Sequence, residues 1–271
     1  MILKRKLKST VDKKRRIIQF IAWSSLSYLA LHPYIIRFYD LHVFNHTPLI
    51  SEIAFVDGKT SELAKTRMGN PIVYKALSEF GEVVVKETKS ISPLSKISSR
   101  FKLAREYLVL QAIQDLPNVT KLVGKIDNDA FCIEYVPHLE MSALSDPQDL
   151  VRFKKQFMQT MEALHERHIY HLDLSNQYNI LIGEDFSCML IDFGNARKVD
   201  RVMSFFFEPF LKYRDDVRAL KGLFLITPEL LTEEELIRLL RHRSMTKYFS
   251  FGKHDKFCKK IEAYYNARYK N

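Results

Sequence analysis

The chain has 271 residues, enough to bury a substantial core as one large domain or two lobes, and its 46% hydrophobic and 12% aromatic content excludes a disordered polymer. Three cysteines, Cys132, Cys188 and Cys258, lack metal-ligand spacing; Cys132 and Cys188 lie in apolar runs where a buried thiol is the default, and the count fits a reducing compartment. The net charge of +10 sits at the ends: residues 1–16 and 241–271 each carry about +7, which leaves the middle mildly acidic. Basic ends on an acidic body fit contact with an anionic surface, membrane or RNA, or else simple solvated tails.

The first element is a basic arm, M-I-L-K-R-K-L-K-S-T-V-D-K-K-R-R, followed by Ile17–Ile36 without a formal charge. That run is long enough to span a bilayer, but Gln19, Ser24, Ser25, Ser27, His32 and Pro33 interrupt it, and no small-residue cleavage pattern follows. A positive flank stays cytoplasmic, so a single span would place everything after Arg37 outside. An in-plane helix avoids this, with Phe20, Trp23 and Leu26 entering the interface while the arm meets anionic lipid. Peripheral contact at the inner membrane face is the expectation; a helix packed on the soluble fold and a true span remain open.

From about Phe55 the pattern turns to short strands. Ile72–Ala76 and Glu82–Glu87 predict a hairpin turning near Ser78–Gly81. Leu103, Leu108, Leu110 and Ile113 predict a helix over Ser98–Leu116, and Lys121–Ile126 and Ala130–Tyr135 read as two more strands. Pro147 opens an amphipathic helix from Gln148 to about Arg167, whose stripe of Leu150, Phe153, Phe157, Met161 and Leu164 reads as core.

The run from Tyr170 to Asn195 then predicts two short strands, Ile180–Ile182 and Cys188–Ile191, turning through Gly183–Phe186. A polar loop precedes the first and Asp-Phe-Gly follows the second. Asp173, Asn179 and Asp192 therefore fall at one end of a small hairpin, three oxygen-bearing groups placed where a base and metal ligands could meet.

On His171, Asp173 and Asn179, and on Asp192-Phe193-Gly194, the chain resembles the protein-kinase-like superfamily. The loop H-L-D-L-S-N-Q-Y-N is similar to that of RIO-type atypical kinases and of bacterial kinases of lipopolysaccharide core sugars. It departs in spacing: six positions separate Asp173 from Asn179, where the family has five. The run Asn-Ile-Leu-Ile favours Asn179 as the ligand, with Asn176 as the competing choice.

The resemblance covers roughly residues 60–225 and implies an α+β, two-lobed fold: a basic and apolar segment over 1–54, a β-rich N-lobe over 55–136 and a shortened helical C-lobe with a basic tail over 137–271. It implies Asp173 as the group that accepts or orients the substrate hydroxyl proton, and Asn179 and Asp192 as Mg²⁺ ligands. V-V-V-K places Lys86 as the ATP-phosphate lysine, oriented by Glu106, which lies 20 positions later on the following helix. The backbone at Glu134 and Val136 would bond the adenine edge, with Ile133 closing the back of the pocket. The glycine-rich phosphate loop is reduced to M-G-N-P-I-V-Y-K with a single Gly69. Leu172 stands where many protein kinases carry an Arg that pairs with a phosphorylated loop, and Ser175 where a Ser/Thr kinase has Lys.

After Gly194 the chain is short: 21 positions separate Asp192 from Tyr213, and no Ala-Pro-Glu appears. A protein kinase holds its peptide with a longer segment. Asp215 or Asp216 is expected to begin the next helix and tie down the catalytic loop from below. Thr232 with Glu235 predicts a capping box, and the tail from Arg241 is basic and aromatic. The resulting expectation is an ATP- and Mg²⁺-dependent kinase acting on a hydroxyl of a membrane glycolipid sugar or another non-peptide acceptor. A RIO-like serine/threonine protein kinase or ATPase on RNA, and a pseudokinase binding module, are the alternatives.

Overall fold

A five-stranded antiparallel sheet is built from β1 (Phe55–Ala64), β2 (Ile72–Ser78), β3 (Gly81–Glu87), β4 (Leu122–Asp127) and β5 (Ala130–Glu134), in the spatial order β1-β2-β3-β5-β4. The structure is a computed structural model that describes residues 44–45, 55–64, 70–89, 91–246 and 253–269. The basic arm, the Ile17–Ile36 run, Gly69, Tyr248, Phe249 and Phe251 lie outside the described residues. The chain divides into two units, Met1–Thr47 and Pro48–Asn271. Of the first, Phe44 and Asn45 are described, both helical.

Strand alternation explains the sheet's two faces. Val83 and Val85 bury one face of β3 against Ala76 and Cys132, with Tyr74, Val123 and Ile126 packed around them. Lys86, one position on, turns to the opposite face. The β2–β3 turn is tight: Gly81 has φ +93°, and the Ser78 hydroxyl donates to the Gly81 carbonyl at 3.0 Å.

Helix α1 (Pro93–Ala112) starts earlier than its apolar spacing predicts, because Pro93 supplies a preset first helical position. It also ends earlier. Ile113 has non-helical φ −125°, yet Ile113 and Leu116 remain buried, so the apolar spacing outruns the helix. Helix α2 (Pro147–Glu166) is capped by Asp146, whose carboxylate accepts from Gln148 N at 2.8 Å. It buries Phe153, Phe157, Met161 and Leu164, while Leu150 is half-buried.

Five short strand pieces carry the middle of the chain. β6 (His138–Leu139), β8 (Ile180–Gly183) and β9 (Cys188–Leu190) form a three-stranded sheet ordered β6-β8-β9, and β7 (Ile169–Tyr170) pairs with β10 (Arg197–Lys198). The remainder is helical: α3 (Arg201–Ile226), α4 (Glu233–Thr246) and α5 (Lys253–Tyr269). The architecture is α+β, with the main sheet first and most of the helix after it.

Two expectations about this helical part are corrected. Asp215 and Asp216 do not begin a helix; α3 already runs from Arg201 and passes through Pro209. Burial of Val217, Leu220, Leu223 and Phe224 sustains the helix beyond the proline. The basic tail is not wholly a solvated arm, because α5 buries Cys258 and Ile261 and sets Phe257 and Tyr264 edge-on to Phe224. The Thr232–Glu235 capping box forms as expected, with Thr232 N donating to Glu235 at 2.8 Å and Glu235 N donating to the Thr232 hydroxyl at 3.3 Å. Among the described residues, no helix is long and apolar enough to cross a membrane.

Candidate active site

The site begins with a lysine that the sheet pushes inward. Lys86 lies in the middle strand, between Val73 of β2 and Phe131 of β5. Its ammonium meets Glu106 Oε1 of α1 at 2.6 Å and Asp192 Oδ1 at 3.3 Å. Burial disfavours the ammonium, but the charges of Asp192 and Glu106 outweigh it and raise the Lys86 pKa above the ordinary lysine value. Burial pulls Glu106 upward against the pull of Lys86. The Lys86 charge holds the Asp192 carboxyl below the usual carboxylate range, despite burial. The Asp192 side chain is 45% exposed, whereas those of Lys86 and Glu106 are 8% and 2% exposed. One ionised carboxylate thus opens outward from a buried ion pair.

Asp192 adopts a left-handed backbone, φ 61° and ψ 68°, and Phe193–Asn195 follow as a short 3-10 turn. Phe193 is fully buried with its ring 4.6 Å from that of His171, and its N–H donates to Glu106 Oε1 at 3.2 Å. Arg105 Nη1 donates to the Gly194 carbonyl at 3.3 Å. His171 Nε2 pairs with the Ile191 carbonyl at 3.0 Å. His171 thus bonds backbone and packs against Phe193.

The loop before β8 hangs from Asp215, a fully buried carboxylate in α3. Asp215 accepts from His171 N at 2.9 Å and Leu172 N at 2.7 Å, and pairs with His165 Nε2 at 3.0 Å. Leu172 needs this support, since its φ of +58° is sparsely populated by a leucine. Gly222, two turns further along α3, lets the helix touch the loop: a Cβ there would stand 2.1 Å from the Leu174 carbonyl oxygen.

Two successive turns absorb the extra loop residue: Asn176 N donates to Asp173 O at 3.1 Å, and Asn179 N to Asn176 O at 3.0 Å. Of the two asparagines, Asn179 is buried and its amide donates to the Asp173 carbonyl at 3.1 Å, whereas Asn176 is exposed and donates to Asn179 Oδ1. The Asp173 carboxylate accepts from Asn195 Nδ2 at 2.9 Å.

The other candidate positions lie along β5 and beyond it. Ile133 is buried opposite Val84, and Glu134 is half-buried, with its N–H donated to the Lys121 carbonyl at 2.9 Å and its carboxylate accepting from Lys121 N. Val136 follows, half-buried, its carbonyl paired with His138 Nδ1 at 3.1 Å. Gly69 falls between β1 and β2, outside the described residues.

Arg105, His165, Asn195 and Gly222 escaped the sequence reading. Gly222 alone carried a local signal, a glycine inside a helical run. The others become visible only when distant segments meet.

An ionised carboxylate and a buried carboxamide oxygen are hard donors that suit Mg²⁺, which takes one or two protein carboxylates and fills its remaining positions with water and phosphate oxygens. Asp192 and Asn179 offer that donor set, and Lys86, 3.3 Å from Asp192, offers a fixed positive charge for phosphate.

The family model of the protein kinase domain matches residues 69–214. Tyrosine-protein kinase Srms of Mus musculus is 31% identical over 127 residues, covering 47% of this chain and 24% of that protein. A probable receptor-like protein kinase of Arabidopsis thaliana is 31% identical over 96 residues, covering 30% of this chain and 28% of its own length. The chain spans about a quarter of the length of these curated relatives.

Proposed function

The chain belongs to the protein kinase domain family, and on that footing we propose that it is an ATP- and Mg²⁺-dependent phosphotransferase acting on a hydroxyl group. The observation that carries this reading is the meeting of Lys86, Glu106 and Asp192 from three separate elements, with Asp192 ionised and open. Phosphoryl transfer needs alignment and charge neutralisation more than covalent help. Lys86, held by Glu106, grips the nucleotide phosphates. Asn179 and Asp192 would hold Mg²⁺, which would neutralise phosphate charge. Asp173 would take the proton of the acceptor hydroxyl as its oxygen bonds to the γ-phosphorus and the bond from that phosphorus to the β–γ bridging oxygen breaks, with ADP as the leaving group. The backbone of Glu134 and Val136 would bond the adenine edge, with Ile133 closing the back of the pocket and Gly69 assigned to the phosphates.

The acceptor is non-peptide, on the model of the bacterial kinases of glycolipid core sugars. Support comes from the shortness of the chain between the Phe193–Asn195 turn and α3, which begins at Arg201 and leaves little length for a peptide platform. The basic N-terminal arm would hold the enzyme peripherally at the inner face of a membrane. A second reading, a RIO-like protein kinase or ATPase, draws for its protein-kinase part on the two relatives, both protein kinases.

A thermal shift with ATP, with and without Mg²⁺, on wild type and Asp192→Asn tests the nucleotide site. A Mg²⁺-dependent rise that vanishes in Asp192→Asn supports it. No rise at millimolar ATP overturns the phosphotransferase and leaves a binding module. Transfer of labelled γ-phosphate to a lipid extract, against transfer to protein, separates the two acceptor readings. Complete solubility after cell fractionation at low salt would remove the membrane part.

A further inference from the structure

A base in phosphoryl transfer must be aimed as well as ionised, because a small misplacement of the accepting oxygen costs rate steeply. The backbone of Asp173 is well held: its carbonyl accepts from Asn179 Nδ2 and from Asn176 N, both at 3.1 Å. Its side chain could still rotate about two torsions. The contact that stops it comes from the metal turn, where Asn195 Nδ2 donates to Asp173 Oδ2 at 2.9 Å. Asn195 stands directly after Gly194, whose carbonyl is tied to Arg105, and Ala196 N closes the turn onto Phe193 O at 2.9 Å. The donor therefore sits on an anchored backbone. Ser175, the position where a Ser/Thr kinase carries a lysine, brings no cation to this carboxylate.

We propose that Asn195 is a positioning residue of the transfer site. It holds Asp173 by one carboxylate oxygen and leaves Oδ1 to take the acceptor proton. As a neutral donor it orients the base without adding a charge that would compete with the incoming proton. It also couples two halves of the site, because the turn that presents Asp192 presents the donor as well. The inference rests on the reading of Asp173 as the base. A purely structural role predicts something else: Asn195 is exposed, and one hydrogen bond between solvent-accessible groups adds little to stability.

The test uses the full chain with Mg²⁺-ATP, water as acceptor and released inorganic phosphate as the readout. Asn195→Ala is expected to lower kcat about 10-fold, a fraction of what a positioned base contributes, with the KM for ATP within about twofold and the melting temperature unmoved. Asn195→Asp, which sets a second carboxylate against the first, falls further. In an Asp173→Asn background, Asn195→Ala makes no additional difference. An unchanged kcat in Asn195→Ala overturns the proposal, as does a loss explained by a raised KM or a lowered melting temperature. A second readout needs no turnover: the side-chain amide signals of Asn195 in a ¹H–¹⁵N spectrum should move in Asp173→Ala. If wild type releases no phosphate, water does not serve this site as an acceptor; the phosphotransferase reading itself stands or falls on the ATP-dependent thermal shift. The spectrum then decides the contact by itself, and unmoved Asn195 signals overturn it.

Discussion

Arg105 and Glu106 are neighbours on α1, and they hold two points of the same turn. Glu106 Oε1 accepts the Phe193 N–H at 3.2 Å, and Arg105 Nη1 donates to the Gly194 carbonyl at 3.3 Å. Both side chains are buried, so each bond forms where water competes little. Helix and turn consequently move together, and the Lys86 ammonium receives one carboxylate from each.

Breaking this pairing from one side should be costly. Glu106→Ala strands the buried Lys86 with only the half-exposed Asp192, and a loss of about 3 kcal/mol is expected. Lys86→Met combined with Glu106→Leu should recover most of it, because an apolar pair needs no charge compensation. Urea midpoints of the single and double variants decide the point. A double variant no more stable than Glu106→Ala would show that the charges themselves hold the site.

The pH dependence follows from Asp192. Lys86 lowers its pKa in the folded chain, so its contribution is present above the unfolded-state value of about 3.9 and is lost as pH falls through the lower folded value. The stability gap between wild type and Asp192→Asn should be constant near neutrality and close below about pH 4. Urea unfolding of both proteins from pH 7 downward measures it. A gap that closes already between pH 7 and 5 contradicts the sign of the shift.

Asp215 is the next point of attack. Asp215→Ala removes the acceptor for two buried backbone N–H groups, each costing about 1–3 kcal/mol when left unpaired. It also frees Leu172 to leave its left-handed conformation. Stability should fall by about 3 kcal/mol, and Asp215→Asn, which keeps one acceptor oxygen, should lose less. Since Lys86, Glu106 and Asp192 are untouched, the ATP-dependent thermal shift should survive while phosphate release falls. Calorimetry and the release assay on the same samples separate the two effects.

Gly222 reverses a familiar rule. Glycine to alanine inside a helix ordinarily gains about 1 kcal/mol. Here the added methyl meets the Leu174 carbonyl oxygen at 2.1 Å and Ile180 Cδ1 at 2.8 Å, and a backbone carbonyl yields little. Gly222→Ala should therefore destabilise by about 1–3 kcal/mol through overpacking. A higher melting temperature for Gly222→Ala would refute the close approach.

Much of this could be read along the chain. The strand ending in Lys86, the helix carrying Glu106 and the hairpin between Asn179 and Asp192 leave marks in local alternation, helical spacing and turn residues, because those patterns act over a few positions. Element ends were less legible. Apolar burial continues past the end of α1, and Pro209 lies within α3 without stopping it. Only tertiary structure chose Asp215 over Asp216: the first is buried beneath the loop, while the second turns outward to Arg238 at 2.8 Å. It also made Asn179, and not Asn176, the asparagine whose side-chain amide is tied to Asp173, and it brought Arg105 and Asn195 into the site. The reason is physical. Periodicity records which face of an element is buried, but a hydrogen bond between segments far apart in sequence leaves no trace in either one until packing brings them together.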